Sequence, residues 1–136
     1  MMKSSLNELS TVCERLVGEL PDGGVVILQG DLASGKTTFT QAFARYLGIS
    51  EAVTSPTFSL QQRYGEKLYH YDLYNHGFDK FLSLGMMEEL EKEGYHLVEW
   101  GDEELAGWLR RSGIPSVILK ITKCDEQSRY YEVQRA

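Results

Sequence analysis

At 136 residues, 42% of them hydrophobic and 25% charged, the chain has enough apolar material for one well-packed α/β domain over residues 1–136 and too little length for two. A formal net charge of −6 argues against a broad basic face for direct nucleic-acid binding, because phosphate neutralisation supplies most of that affinity; any RNA connection is expected to run through a partner, with no independent DNA binding. No apolar run approaches the roughly 20 residues that span a bilayer, the first residues lack a signal-peptide core, and Cys13 and Cys124 stand in no metal-binding spacing, so a reduced, cytoplasmic protein is expected.

Leu6, Leu9, Cys13, Leu16, Val17 and Leu20 predict an N-terminal helix, with Ser4, Ser5 or Asn7 available to cap it. After the turn cluster Pro21-Asp22-Gly23-Gly24, Val25 to Leu28 is apolar without alternation, as in a strand covered on both faces. Gly30-Asp31-Leu32-Ala33-Ser34-Gly35-Lys36-Thr37 then fits the pattern GxxxxGK[ST] at every fixed position. A helix follows, its apolar face drawn by Phe39, Ala42, Phe43, Tyr46 and Leu47 and its end marked by Gly48.

Val53 to Phe58 forms a loop in which Pro56 holds Ser55 extended and three hydroxyls crowd together. Phe58 to Tyr64 and Lys67 to Tyr74 predict a β-hairpin around Gly65-Glu66. From Asp79 to Lys92 the pattern is helical, broken at Gly85, with Phe81, Leu82, Leu84, Met86, Met87 and Leu90 apolar. Tyr95 to Trp100 predicts a strand and Glu103 to Arg111 a helix, while Val117 to Ile121 and Tyr130 to Val133 predict an antiparallel edge pair joined by a polar turn.

The order strand, GxxxxGK[ST], helix has a chemical meaning. A triphosphate needs several N–H groups converging on its oxygens, and a glycine-rich turn opening a helix supplies them. The nucleotide-binding set is therefore Asp31, Leu32, Ala33, Ser34, Gly35, Lys36, Thr37 and Thr38. Lys36 reaches the β- and γ-phosphates, and the Thr37 hydroxyl ligates the accompanying Mg²⁺. A nucleoside triphosphate with Mg²⁺ is the expected cofactor, and the expected fold is a three-layer P-loop NTPase-like α/β fold. Its central sheet is mostly parallel, with an antiparallel hairpin and antiparallel edge strands.

Hydrolysis also needs the metal held and a water oriented, usually by a carboxylate at the carboxyl end of a neighbouring strand. Asp72, after Leu68-Tyr69-His70-Tyr71, and Glu99, after Tyr95-His96-Leu97-Val98, fit that description; which holds metal and which orients water stays open. Thr54, Ser55 and Thr57 could form a switch loop that senses the γ-phosphate, or an ST-turn on their own backbone. His70, His76 and His96 read as packing or surface residues rather than ligands, and Trp100 and Trp108 as core.

Gly30-Asp31-Leu32 with Gly35-Lys36-Thr37-Thr38-Phe39, then Thr54-Ser55-Pro56-Thr57-Phe58, His70-Tyr71-Asp72-Leu73-Tyr74 and Val98-Glu99-Trp100 together resemble the TsaE family, over roughly residues 5 to 122. The resemblance implies an ATPase, weak alone, that acts on a complex of the TsaB and TsaD proteins, where TsaD transfers a threonylcarbamoyl group to adenosine 37 of tRNAs reading ANN codons. It also implies phosphate and Mg²⁺ binding by Lys36 and Thr37, a switch-like loop at Thr54 to Thr57, and metal binding and hydrolysis through Asp72 and Glu99, with Trp100 beside Glu99. The chain departs from the family's usual Gly-Ala by carrying Ala33-Ser34, which adds a methyl where a positive φ would favour glycine.

Three rival readings share the phosphate loop. A small GTPase would use Thr122-Lys123-Cys124-Asp125 as its guanine reader, but the DxxG element such proteins carry is absent. A small-molecule kinase would need an arginine-bearing lid, and Arg110-Arg111 is the only adjacent arginine pair. A non-catalytic ATP-dependent docking module would need Lys36, Thr37 and the switch loop but not the Glu99 carboxylate.

Overall fold

The structure, a computed structural model, describes residues 2–5, 9–30, 36–49, 61–73, 77–83, 85–99, 103–123 and 128–135. The elements run β1 (Met2–Ser5), α1 (Ser10–Glu19), β2 (Gly24–Gln29), α2 (Lys36–Tyr46), β3 (Gln61–Tyr64), β4 (Leu68–Asp72), α3 (Gly77–Ser83), a 3₁₀ helix (Met86–Glu91), β5 (Tyr95–Glu99), α4 (Glu103–Arg111), β6 (Ser116–Lys123) and β7 (Ser128–Arg135). The strands form one sheet in the order β1-β7-β6-β2-β5-β4-β3. Its centre, β6, β2, β5 and β4, is parallel, and the pairs β3/β4, β6/β7 and β1/β7 are antiparallel.

Side chains alternate across this sheet and build two cores. Val26, Leu28, Leu68, Leu97, Leu119 and Ile121 pack against Val12, Cys13 and Leu16 of α1 and Phe39 and Phe43 of α2. Val25, Ile27, Tyr69, Tyr71, Val98 and Ile118 pack on the other face with Phe81, Met87, Leu90, Leu105 and Leu109. Val25 to Leu28 are fully buried, which is why that run shows no alternation. Gly48 ends α2 with φ +81°, and its N–H donates to the Arg45 carbonyl at 3.0 Å.

Several expectations need correction. β1 was not anticipated, because Met2-Lys3-Ser4-Ser5 carries no apolar alternation; it forms by extending the ladder of β7. β6 and β7 are therefore interior strands rather than an edge pair. Ser4 and Ser5 lie in β1 and do not cap α1, which starts after Leu9 with no side-chain cap; Leu6 and Asn7 lie outside the described residues. Tyr46 is 42% exposed and Leu82 43%, although both fit apolar helical spacings. In α2 the buried face is Phe39, Thr40, Phe43 and Ala44, rotated so that Tyr46 falls at its margin. In α3, Phe81 takes the core position and its neighbour Leu82 is turned outward.

On the second face a closed circuit of polar groups ties the hairpin to the 3₁₀ helix. The Lys92 carbonyl can only accept, so His96 Nε2–H donates to it at 2.8 Å and His96 Nδ1 accepts from the Tyr71 hydroxyl at 2.8 Å. Gln61 donates to that hydroxyl at 3.1 Å and to Glu89 at 3.0 Å. Glu89 closes the circuit on the Lys92 ammonium at 2.7 Å. The His96 ring stacks on Tyr69 with centroids 4.4 Å apart, and Arg63 lies 5.5 Å over that tyrosine. Burial lowers the basicity of His96 and raises the pKa of Tyr71; the Lys92 hydrogen bond, then Gln61, lowers that of Glu89.

At the amino ends of the parallel strands the backbones meet directly. A Cβ on Gly94 would lie 2.5 Å from the Lys67 carbonyl oxygen, and one on Gly23 would lie 2.5 Å from that of Gly94. Gly94 also has φ +123°. Gly94→Ala is expected to destabilise by about 3 kcal/mol or more, read as a lowered urea midpoint; an unchanged midpoint would contradict this packing.

The His96 circuit sets a pH dependence. An unfolded imidazole takes up its proton as pH falls through about 6.5, whereas folded His96, its basicity lowered by burial, resists. Its contribution to stability is thus complete above about pH 6.5 and is lost as pH falls below that value, by at most about 1.4 kcal/mol per pH unit. Urea unfolding of wild type against His96→Gln between pH 7.5 and 5 should show the steeper decline in wild type, and parallel declines would contradict it.

Candidate functional site

The site is assembled by strand register. β5 lies between β2 and β4, and its last residue, Glu99, is level with Leu28 of β2 and Asp72 of β4. By alternation Glu99 follows Leu97 and Asp72 follows Leu68, so both carboxylates belong to the face that α1 and α2 cover. β2 ends one residue before Gly30, which leaves the sheet at φ +154°. Both carboxylates therefore stand at the rim where the chain enters the Gly30 to Thr37 pattern.

The direction of α2 brings its start to the same rim. Phe43, in its second half, meets Tyr95 at the amino end of β5, edge to face with centroids 5.3 Å apart. Ile49, just past its end, lies against the hairpin turn at Gly65. The helix thus runs antiparallel to β2, and its N-terminal end at Lys36 lies toward the carboxyl ends of the strands. The first N–H groups of a helix have no intrahelical acceptor, and at this end of α2 they and the positive end of the helix dipole are directed toward that rim, an arrangement that favours phosphate.

Glu99 is only 4% exposed. A carboxylate so placed needs a partner, since an unpaired buried charge costs several kcal/mol, about 3 to 5 when one partner is removed. The partner is His70 Nε2, in direct contact with Glu99 Oε2. His70 is itself fully buried, two residues before Asp72 on the same face of β4, and it packs near the Tyr64 ring. Asp72 is half-buried, and the next N–H, of Leu73, donates to the Glu99 carbonyl at 3.0 Å. That bond binds the ends of β4 and β5 together.

Of the residues expected from sequence, the structure brings together Asp72, Glu99 and the start of α2. Lys36 and Thr37 are its first residues, although their side chains lie outside the described ones; Thr38 is half-buried. Asp31 to Gly35, Thr54, Ser55, Thr57, His76 and Trp100 also lie outside the described residues. Thr122 and Lys123 are the last residues of β6, and Cys124 and Asp125 lie beyond them, outside the described residues. Trp108 packs against the second core. His96 serves the circuit on the opposite face. His70, expected to be a packing or surface residue, is fully buried, and its contact with Glu99 is what the sequence reading did not include. The available signal was its i, i+2 relation to Asp72, which places both on one face of a strand.

Among the described residues there is no group of three or more His, Cys, Asp or Glu side chains that could hold a metal alone. Two carboxylates beside a helix N-terminus nevertheless suit Mg²⁺, which keeps several waters and is usually held by one or two carboxylates together with substrate phosphates. Cys13 is buried in the first core, its thiol pushed up to about 12 by that burial, and takes no part. No helix among the described residues is long and apolar enough to cross a membrane.

A parallel sheet whose first central strand leads into GxxxxGK[ST] and then a helix, with acidic residues ending the adjacent strands, is a P-loop NTPase-like fold. The model of the family Threonylcarbamoyl adenosine biosynthesis protein TsaE matches residues 3–131. The chain is 43% identical over 95 residues to the tRNA threonylcarbamoyladenosine biosynthesis protein TsaE of Treponema pallidum, covering 68% of each chain. It is 46% identical over 81 residues to that of Bacillus subtilis, covering 57% of this chain and 51% of the relative. With that of Nostoc it shares 37% identity over 130 residues, 87% of this chain and 75% of the relative. The crystal structure of YdiB from Bacillus subtilis superposes with a TM-score of 0.61 at 28% identity, covering 99% of this chain and 84% of that one. The chain belongs to the TsaE family.

Proposed function

We propose that this protein binds and hydrolyses ATP as the energy-using subunit of tRNA threonylcarbamoyladenosine biosynthesis. In this reading it acts in the cytoplasm on a TsaB–TsaD complex, which modifies adenosine 37 of tRNAs reading ANN codons, and it meets tRNA only through that complex. The observation that carries the nucleotide chemistry is the placement of Glu99 and Asp72 on the α2 face of the sheet, at the rim toward which the start of α2 is directed. The pathway is supported by the names of relatives such as the Treponema pallidum protein.

Residues 31–38 cradle the phosphates through backbone N–H groups, and Lys36 adds a point charge toward the β- and γ-oxygens. Thr37 and one of the two carboxylates would hold Mg²⁺, which when bound neutralises charge on the phosphates. The other carboxylate orients the attacking water, and the hydroxyls of Thr54, Ser55 and Thr57 sense the γ-phosphate. All of this falls within a single domain of 136 residues. A net charge of −6 suits docking on a basic partner surface.

The test is steady-state hydrolysis of ATP and of GTP, with and without purified TsaB–TsaD. The complex should stimulate ATP turnover, and Lys36→Ala should abolish it, by on the order of a hundredfold or more. Absence of stimulation, or preference for GTP, would overturn the reading and return Thr122 to Asp125 to consideration as a base reader.

The two carboxylates are separated by titrating nucleotide with Mg²⁺ in Glu99→Gln and Asp72→Asn. The variant lacking the water-orienting group should bind normally and lose turnover about a hundredfold. The variant lacking the metal ligand should lose Mg²⁺-dependent affinity. Wild-type binding and turnover in both would overturn both assignments and remove these residues from the site.

A further inference from the structure

We propose that His70 is a positioning residue for Glu99, holding its carboxylate in one orientation at the rim of the sheet; this deepens the hydrolytic reading above and rests on it. Strand register places Asp72 beside Glu99 and His70 beside Leu97, so Glu99 has one carboxylate as its direct neighbour and one imidazole on the diagonal. The imidazole is the group that touches it, Nε2 to Oε2.

Toward an ionised carboxylate, which only accepts, the donor of this contact would be His70 Nε2–H. His70 Nδ1 is buried and has no hydrogen-bond partner among the described residues. Leaving a buried ring nitrogen unpaired is unfavourable, a cost that leucine at this position would avoid. The Nε2 contact to Glu99 is what the imidazole supplies in return. A glutamate has three rotatable side-chain bonds; once Oε2 is fixed by a rigid ring anchored in the middle of β4, the direction of Oε1 is fixed as well. A group that must orient a water or complete a metal shell depends on that direction, and loose support of such a group typically lowers activity about ten- to a hundredfold. His70 need touch neither nucleotide nor metal to have this effect.

The geometry distinguishes His70 from His96. His96 uses both ring nitrogens inside a circuit that joins hairpin to 3₁₀ helix, and so serves the fold. His70 has one polar contact among the described residues, and that contact is with a site carboxylate.

The experiment compares His70→Leu, which fills the space without a donor, with His70→Gln, whose amide N–H can reach Glu99. Both are measured for ATP affinity and for partner-stimulated kcat. His70→Leu should lose kcat about ten- to a hundredfold, with its ATP affinity changing in the same direction as that of Glu99→Gln, and His70→Gln should recover most of the kcat. Wild-type kcat in His70→Leu, or equal losses in both variants, would overturn the proposal. Imidazole nitrogen NMR of ¹⁵N-labelled wild type reads the contact without turnover: His70 should carry its proton on Nε2, with a signal that moves in Glu99→Gln. A proton on Nδ1, or a signal indifferent to Glu99→Gln, would also overturn it. If wild type hydrolyses neither nucleotide with TsaB–TsaD present, the hydrolytic reading fails, while the NMR signal still decides whether His70 holds Glu99.

Discussion

The row Leu28, Glu99, Asp72 across three parallel strands is the constraint on which the site depends. Side chains alternate with a period of two, so a slip of one residue in β5 would send Glu99 to the α3 and α4 face and bring Val98 to the rim. The hydrophobic pattern forbids that slip. It would also move Leu97 out of the first core and His96 away from Tyr71 and Lys92. Apolar burial along the strands thus sets, at their ends, which face receives the acidic residues.

Much of this was legible in the sequence because it rests on local signals. The uninterrupted apolar run at Val25 to Leu28, the glycines and lysine of the phosphate loop, and the turn at Gly65-Glu66 each announce their element without knowledge of the rest. Asp72 and Glu99 could be picked out because each closes an apolar strand. What stayed hidden depends on contacts distant in sequence. β1 exists only because β7 offers an edge, and its four residues carry no pattern of their own. Tyr46 and Leu82 have the right spacing for burial, but the packing angle of each helix, which no local pattern encodes, leaves them half-exposed. The role of His70 requires β4 and β5 to be parallel neighbours, and no spacing along the chain states that.

The two buried histidines show how one residue type takes opposite parts in one sheet. Each is fully buried in the interior of a strand. On the second face, His96 closes a loop of partners running from the Lys92 ammonium through Glu89, Gln61 and Tyr71 back to the Lys92 carbonyl, and nothing is left over. On the first face, His70 leaves one nitrogen unsatisfied in order to meet a carboxylate. A polar group that closes a circuit adds definition to the fold, whereas one that stops at a single acidic residue adds definition to that residue.

The backbone contacts among Lys67, Gly94 and Gly23 lie at the rim opposite the carboxylates. Because three segments touch there with no side chain between them, that rim has no slack: an added residue would have to push neighbouring strands apart or break the bonds from Tyr95 N–H to Lys67 and from Gly24 N–H to Gly94. The sheet is in this sense one-sided, pinned backbone to backbone where its parallel strands begin and closed by acidic residues where β4 and β5 end.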